Sequence, residues 1–244
     1  MYVLWFWCAV NNAEEINSLY KEANSLKQLR HKNIIELYHA FVEGKQLIMI
    51  MELASGGELL DYVSKKGKLD ETEARQIIIQ ICQAIAYCHS NGVVHRDLKL
   101  ENVLFLDDPE ELSVKVIDFG ISGVCTAFQA DRVDAGTVIY MPPEAFSGVP
   151  LTTTPSIDVW AIGLMFYAML YGTLPFYSDN DKSLKEKIKT ARITFPSDVA
   201  LTDMGKDLLM QMLNRDPKNR LELLNFMNTE YFNIDDAEFE VLYK

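Results

Sequence analysis

The pattern of apolar and polar positions changes rhythm several times along the chain. Met1 to Val10, M-Y-V-L-W-F-W-C-A-V, is nearly all apolar and reads as a buried strand. From Asn12 to Arg30 the spacing becomes helical, with Ile16, Leu19, Ala23, Leu26 and Leu29 on one face and Asn11 or Asn12 as the cap. Two short apolar runs follow, Leu37–Val42 and Leu47–Met51, joined by Glu43-Gly44-Lys45, which is a hairpin signature. Gly56-Gly57 loosens the chain after that hairpin, and helix resumes from Glu58. Leu69-Asp70-Glu71 opens a helix with Ala74, Ile77, Ile78, Ile81, Ile85 and Cys88 on one face, and Gly92 ends it. Thr154-Pro155 reads as a cap followed by proline at the first helical position. Amphipathic helices are expected near Asp181–Thr190, Asp203–Asn214 and Leu221–Asn228. The predicted order is strand, helix, hairpin, then mostly helices, without an internal repeat.

Composition narrows this picture. At 244 residues the chain fits one large domain or two lobes sharing a cleft, and 49% apolar residues supply a sizeable core. A net charge of −12 argues against nucleic acid and anionic membranes as main partners and suits basic peptides. Cys8, Cys82, Cys88 and Cys125 form no C-x-x-C pair, so a reducing, cytoplasmic setting is expected, with Cys82 and Cys88 as core. Two apolar runs invite a membrane reading. The first ten residues lack a basic start and a small-residue cleavage site. Val159–Tyr171 is 13 residues, short of the roughly 20 that span a bilayer, and being apolar all round it reads as buried core.

The candidate chemistry is concentrated between Val93 and Gly120. V-V-H-R-D-L-K-L-E-N-V-L-F, an acidic turn, and V-K-V-I-D-F-G place His95, Arg96, Asp97, Lys99, Asn102 and Asp118 at fixed offsets between apolar runs. Moving a phosphoryl group to a hydroxyl needs a carboxylate for the proton, a cation for the moving phosphoryl, and hard oxygen ligands for magnesium. The stretch resembles the H-R-D-L-x-x-x-N loop and D-F-G motif of eukaryotic protein kinases of the serine/threonine type. S-G-G-E-L and H-R-D-L-K-L-E-N are similar to the calcium/calmodulin-dependent group, although no basic calmodulin-binding helix follows.

That resemblance implies an α+β, two-lobed protein-kinase-like fold over residues 1–232. Residues 1–54 would be a partial N-terminal lobe (the family's third, fourth and fifth strands and its regulatory helix), 55–232 a complete helical C-terminal lobe, and 233–244 a short acidic tail. It implies ATP and Mg2+ as cofactors and protein substrates. Asp97 would be the base, Lys99 the bridge to the transferring phosphoryl, and Thr137 their hydrogen-bonding partner. Asn102 and Asp118 would hold magnesium. Glu52, Ala54, Glu58 and Leu104 would bind the nucleotide, the first two through the backbone after Met51 and Leu104 as the floor under adenine. Glu144 of M-P-P-E should pair with Arg220, and Asp158 should hold the catalytic loop from below. Leu26, Leu37, His95 and Phe119 would stack between the lobes. Glu58 and Glu101 match positions that hold upstream arginines of basic substrates.

The pattern departs from the family in the first residues. No G-x-G-x-x-G is present, and Cys8-Ala9-Val10-Asn11 sets asparagine where the family's phosphate-binding lysine stands, with Glu22 only eleven residues on. Losing such a cation lowers rates by about 10²–10³. The expectation is a truncated chain of an active kinase; the alternative is a pseudokinase or scaffold that binds partners, and perhaps nucleotide, without efficient transfer. In the loop after D-F-G, Val133 stands where many members carry a phosphorylated threonine, and Asp131 or Asp134 is expected to substitute in part beside Arg96.

Overall fold

The computed structural model describes residues 3–9, 20, 23, 27–44, 46–118, 138–148, 153–237 and 239. The first strand, β1 (Val3–Ala9), and the hairpin β2 (Leu37–Glu43) and β3 (Gln46–Glu52) form an antiparallel sheet in the order β1-β3-β2. The register pairs Trp5 with Ile50 and Ala40 with Met49, with an irregularity between Leu37 and His39. Leu47 and Met49 on β3 are buried, as the period-2 alternation of a half-buried strand requires. Of the helix expected over Asn12–Arg30, Tyr20 and Ala23 are helical and the Lys27 N–H bonds the Ala23 carbonyl; most of the stretch lies outside the described residues.

The segment after β3 is held against a second, two-stranded sheet, β4 (Val103–Phe105) and β5 (Val114–Val116). Ser55 and Gly56 donate to the carbonyls of Leu106 and Phe105 at 2.8 and 3.0 Å. Gly56 is required there, because a Cβ would sit 2.1 Å from the Asp107 carbonyl. Helix α1 (Leu59–Lys66) then buries Leu59 and Val63 one turn apart. The Asp70 side chain caps α2 (Glu71–Ser90) through the Glu73 N–H, and the predicted face from Ala74 to Cys88 is wholly buried. Asn33 joins the layers: its Nδ2 donates to Gln80 on α2 and to the Val114 carbonyl, and its own carbonyl accepts from Val116.

The centre of the molecule is α3 (Ser156–Tyr171), in which every residue from Ile157 to Leu170 is buried. It packs against α2 and α5 (Asp203–Met212). A Cβ on Gly163 would lie 2.9 Å from Leu213 and Met212, so glycine sets how closely these helices approach. Thr154 does not cap α3 with its side chain; its hydroxyl bonds Ser156, while its carbonyl accepts from Ile157. Helix α4 (Asp181–Thr190) has the predicted bounds, whereas α5 stops at Met212 and α6 covers only Leu223–Phe226. Asn214 accounts for the first difference, since its Oδ1 accepts from the Asp216 N–H and turns the chain. After α7 (Glu230–Asn233), the segment expected as a tail stays on the core as far as Phe239, which is buried.

Candidate active site

The turn after α2 carries the candidate loop, and a single buried carboxylate fixes its backbone. Asp158, in the first turn of α3, accepts from the backbone N–H groups of His95 and Arg96, each at 2.8 Å, and bonds His89 Nε2 at 2.8 Å. Arg96 is thereby held at φ +71°, a left-handed conformation that is costly for a side chain with a Cβ. His95, fully buried, ties this loop to the segment before Asp118 through its Nε2 and the Ile117 carbonyl at 2.8 Å. Its Nδ1 accepts from the Asp97 N–H at 3.3 Å, so the ring is neutral with its proton on Nε2. Burial lowers its pKa in the same sense, against the pull of Asp158.

Asp97, Lys99 and Asn102 converge. Lys99 Nζ lies 3.2 Å from Asp97 Oδ2, and Asn102 Nδ2 donates to the Asp97 carbonyl and Oδ2 at 2.7 and 3.0 Å. Asn102 is almost fully buried in the 3-10 turn Leu100–Asn102, and with its amide nitrogen so engaged its Oδ1 is left as the acceptor. Asp118 also has a left-handed backbone, φ +61°. Its carboxyl is pushed above the usual range by burial, with the Asp97 charge adding to the effect and Lys99 opposing it. Asp97 and Asp118 near one lysine, with an amide oxygen alongside that has no hydrogen bond among the described residues, form a donor set that fits a hard divalent cation carrying phosphate oxygens. Among the described residues, no cluster of three or more His, Cys, Asp or Glu is arranged to hold a metal by itself. Thr137, Phe119, Leu26, Glu22 and the Asp131–Asp134 segment lie outside the described residues.

The residues expected to meet the nucleotide line the end of β3 and the face of β4. Ala54 has no backbone hydrogen bond among the described residues, so its N–H and C=O are free for a ligand. Glu52 is more committed than the sequence suggests: its N–H bonds the Glu36 carbonyl at 2.9 Å, and its carboxylate meets Lys115 at 2.8 Å. Leu104 is half-buried on β4 and bridges to Glu58, the exposed residue that precedes α1. Leu37 is buried, as expected.

Farther from the loop, Arg220 makes a two-pronged pair with Glu144 at 2.7 and 2.9 Å and also donates to the carbonyls of Asn214 and Ser156. It stacks over Trp160, 5.2 Å from the ring centre. Sequence reasoning missed His89, Lys115 and Asn33. His89 and Lys115 sit in or beside a quoted motif or helix end and Asn33 three residues past Arg30, but the partner that gives each its meaning is 63 or more residues away in the first two cases and 47 in the third.

A family model described as the protein kinase domain matches residues 9–232. The chain belongs to the protein kinase domain family. The carbon catabolite-derepressing protein kinase of Candida tropicalis is 40% identical over 219 residues, which is 90% of this chain and 34% of that protein. The SNF1-related protein kinase catalytic subunit alpha KIN12 of Arabidopsis thaliana is 38% identical over 213 residues, 87% of this chain and 42% of that protein. This kinase domain therefore spans well under half the length of either relative. The crystal structure of Rad53 1–466 in complex with AMP-PNP superposes with a TM-score of 0.79 at 28% identity, covering 94% of this chain and 58% of that one. The α+β protein kinase fold is thus shared.

Proposed function

We propose that this domain transfers the γ-phosphoryl group of ATP to serine or threonine hydroxyls of proteins. The observation that carries the reading is the convergence of Lys99 and Asn102 on Asp97, within 3.2 Å in both cases. Asp97 Oδ2 would orient the substrate hydroxyl and accept its proton as the bond to phosphorus forms. Lys99, two residues on, would follow the transferring oxygens while remaining near that carboxylate, and lysine at this spacing is the serine/threonine pattern. Asn102 Oδ1 and Asp118 would hold magnesium, which when bound neutralises the phosphate oxygens. Thr137 would brace Asp97 and Lys99. The free backbone edge at Ala54, with the Glu52 carbonyl, Leu104 and Glu58, would take the adenosine end.

The substrates we infer are proteins with a basic residue upstream of the acceptor. Glu58 is exposed and Glu101 half-buried, and carboxylates at these two positions suit the guanidinium of an upstream arginine. The S-G-G-E-L segment and the relatives together favour the calcium/calmodulin-dependent group in its broad sense. Cys82 and Cys88, buried and unpaired, fit a reducing cytoplasmic setting.

The test is phosphorylation of serine/threonine peptide libraries by the chain with ATP and magnesium. Transfer to library peptides is expected, with Asp97→Asn lowering kcat by about 10²–10⁴-fold and Lys99→Met by a comparable factor while nucleotide affinity changes little. Enrichment of upstream Arg or Lys should fade in Glu101→Gln. Nucleotide binding without transfer to any library would instead support the scaffold reading that Asn11 suggests.

A further inference from the structure

Beside the Glu144–Arg220 pair is a cavity of about 660 Å³, lined by neither Asp97 nor Asn102. That volume lies within the range of sites for small molecules. Its apolar wall comes from Val159 on α3 and from Leu221, Leu223 and Leu224 around α6. Leu224 is 56% exposed and forms the outer lip of the cavity. The polar groups on the wall are already matched within the protein. Glu144 and Arg220 hold each other, the Thr154 and Ser156 hydroxyls are 2.8 Å apart, Ser147 donates to the Glu144 carbonyl, and His89 Nε2 is on Asp158. The remaining charges, Lys218 and Glu222, are exposed and of opposite sign. Lys218 has no ion-pair partner among the described residues, but at the exposed lip its attraction for a ligand anion is screened by water and too weak to offset the hydration a charged ligand sheds.

We propose that this cavity binds a small, uncharged, largely apolar molecule about the size of two linked rings. The site is wired to the catalytic loop. His89, on the cavity wall, bonds the same Asp158 carboxylate that holds the His95 and Arg96 amides. A ligand packed against His89 and Val159 restricts that network, and the restriction is felt at the two residues immediately before Asp97. Binding does not depend on phosphoryl transfer, so it stands or falls separately from the reading above.

The experiment uses the whole chain with biphenylmethanol and naphthol as uncharged probes, and the biphenyl carboxylate and methylammonium as charged ones. Affinity is read by ligand-observed NMR and location by hydrogen exchange. Expected are saturable binding of an uncharged probe, at least tenfold weaker binding of both charged ones, and slowed exchange over 153–159 and 217–224. Exchange at His95 and Arg96 should slow as well. Leu224→Glu, on the exposed lip, should weaken binding at least tenfold with an unchanged melting temperature. Val159→Phe, which fills the cavity, should do the same where it folds. Failure of both uncharged probes to saturate, equal or tighter binding by a charged one, or indifference to Leu224→Glu would overturn the site. Protection of 153–159 and 217–224 without any change at His95 and Arg96 would overturn the coupling and leave the binding.

Discussion

At the scale of single residues, His95 illustrates how a motif letter becomes a structural part. Its two ring nitrogens face a carbonyl and an N–H, which leaves no place for a second proton. The folded pKa is lowered by burial from the usual 6.5, and His31 is shifted in the same direction, again mainly by burial. Below pH 6.5 the unfolded chain therefore binds a proton that native His95 refuses, and stability falls as the pH drops through that window. Above it the contribution is constant. The slope is limited to about 1.4 kcal/mol per pH unit for one group. Urea unfolding between pH 7 and 5.5 should show a shallower pH dependence in His95→Gln than in the parent, whatever its overall loss of stability. Asp118 works in the opposite sense at lower pH, since its raised pKa makes protonation easier in the native state. His95, Asp97, Lys99, Asn102 and Asp118 stand out in the sequence as candidates because they lie at fixed spacing along one stretch. His89 does not, because histidine at the end of a helix is ordinary until Asp158 is brought beside it from α3.

At the scale of elements, apolar periodicity did most of the work. The buried face of α2 and the wholly buried α3 follow directly from it, since a helix without a polar face can only lie in the interior. Helix ends were less legible. The Asn214–Asp216 turn and the short α6 depend on local side-chain bonds and on Arg220, whose guanidinium takes the Asn214 carbonyl. That arginine also fastens α3 to Glu144, with its own side chain fully removed from solvent. Arg220→Ala should destabilise the domain by roughly 3–5 kcal/mol, because it strands a largely buried carboxylate. Replacing Arg220 and Glu144 together with apolar residues should cost less than Arg220→Ala alone. A double-mutant comparison by chemical denaturation checks both statements, and additivity of the two single losses would contradict them.

At the scale of the whole molecule, the chain's last described segment is fastened to the beginning of α2. Arg75 is 1% exposed and donates to the carbonyls of Tyr231 and Ile234 and to Asp236, while its guanidinium lies 4.9 Å from the Phe239 ring centre. Gln76 adds a bond to Asp236 at 2.7 Å, and Glu71 receives Thr202 and Tyr231. A buried arginine with so many partners becomes a liability when they leave. Phe239→Ala should cost up to about 3–5 kcal/mol, capped by the free energy of undocking the segment alone. Hydrogen exchange should show the first turns of α2 opening with it. Loss of protection confined to 233–239 would mean that the segment is only an ornament on the fold.

By itself the sequence determined the first strand, the hairpin, which helix faces are apolar, and a candidate set of residues for phosphoryl transfer, because each depends on neighbours within a turn, a strand or a loop. Tertiary structure alone decided that His89 joins the Asp158 carboxylate, that Lys115 meets Glu52, and that Arg75 gathers residues more than 150 positions away. Those contacts depend on elements meeting in space, where burial strengthens a charged or polar pair and makes its loss costly, and no local spacing along the chain encodes them.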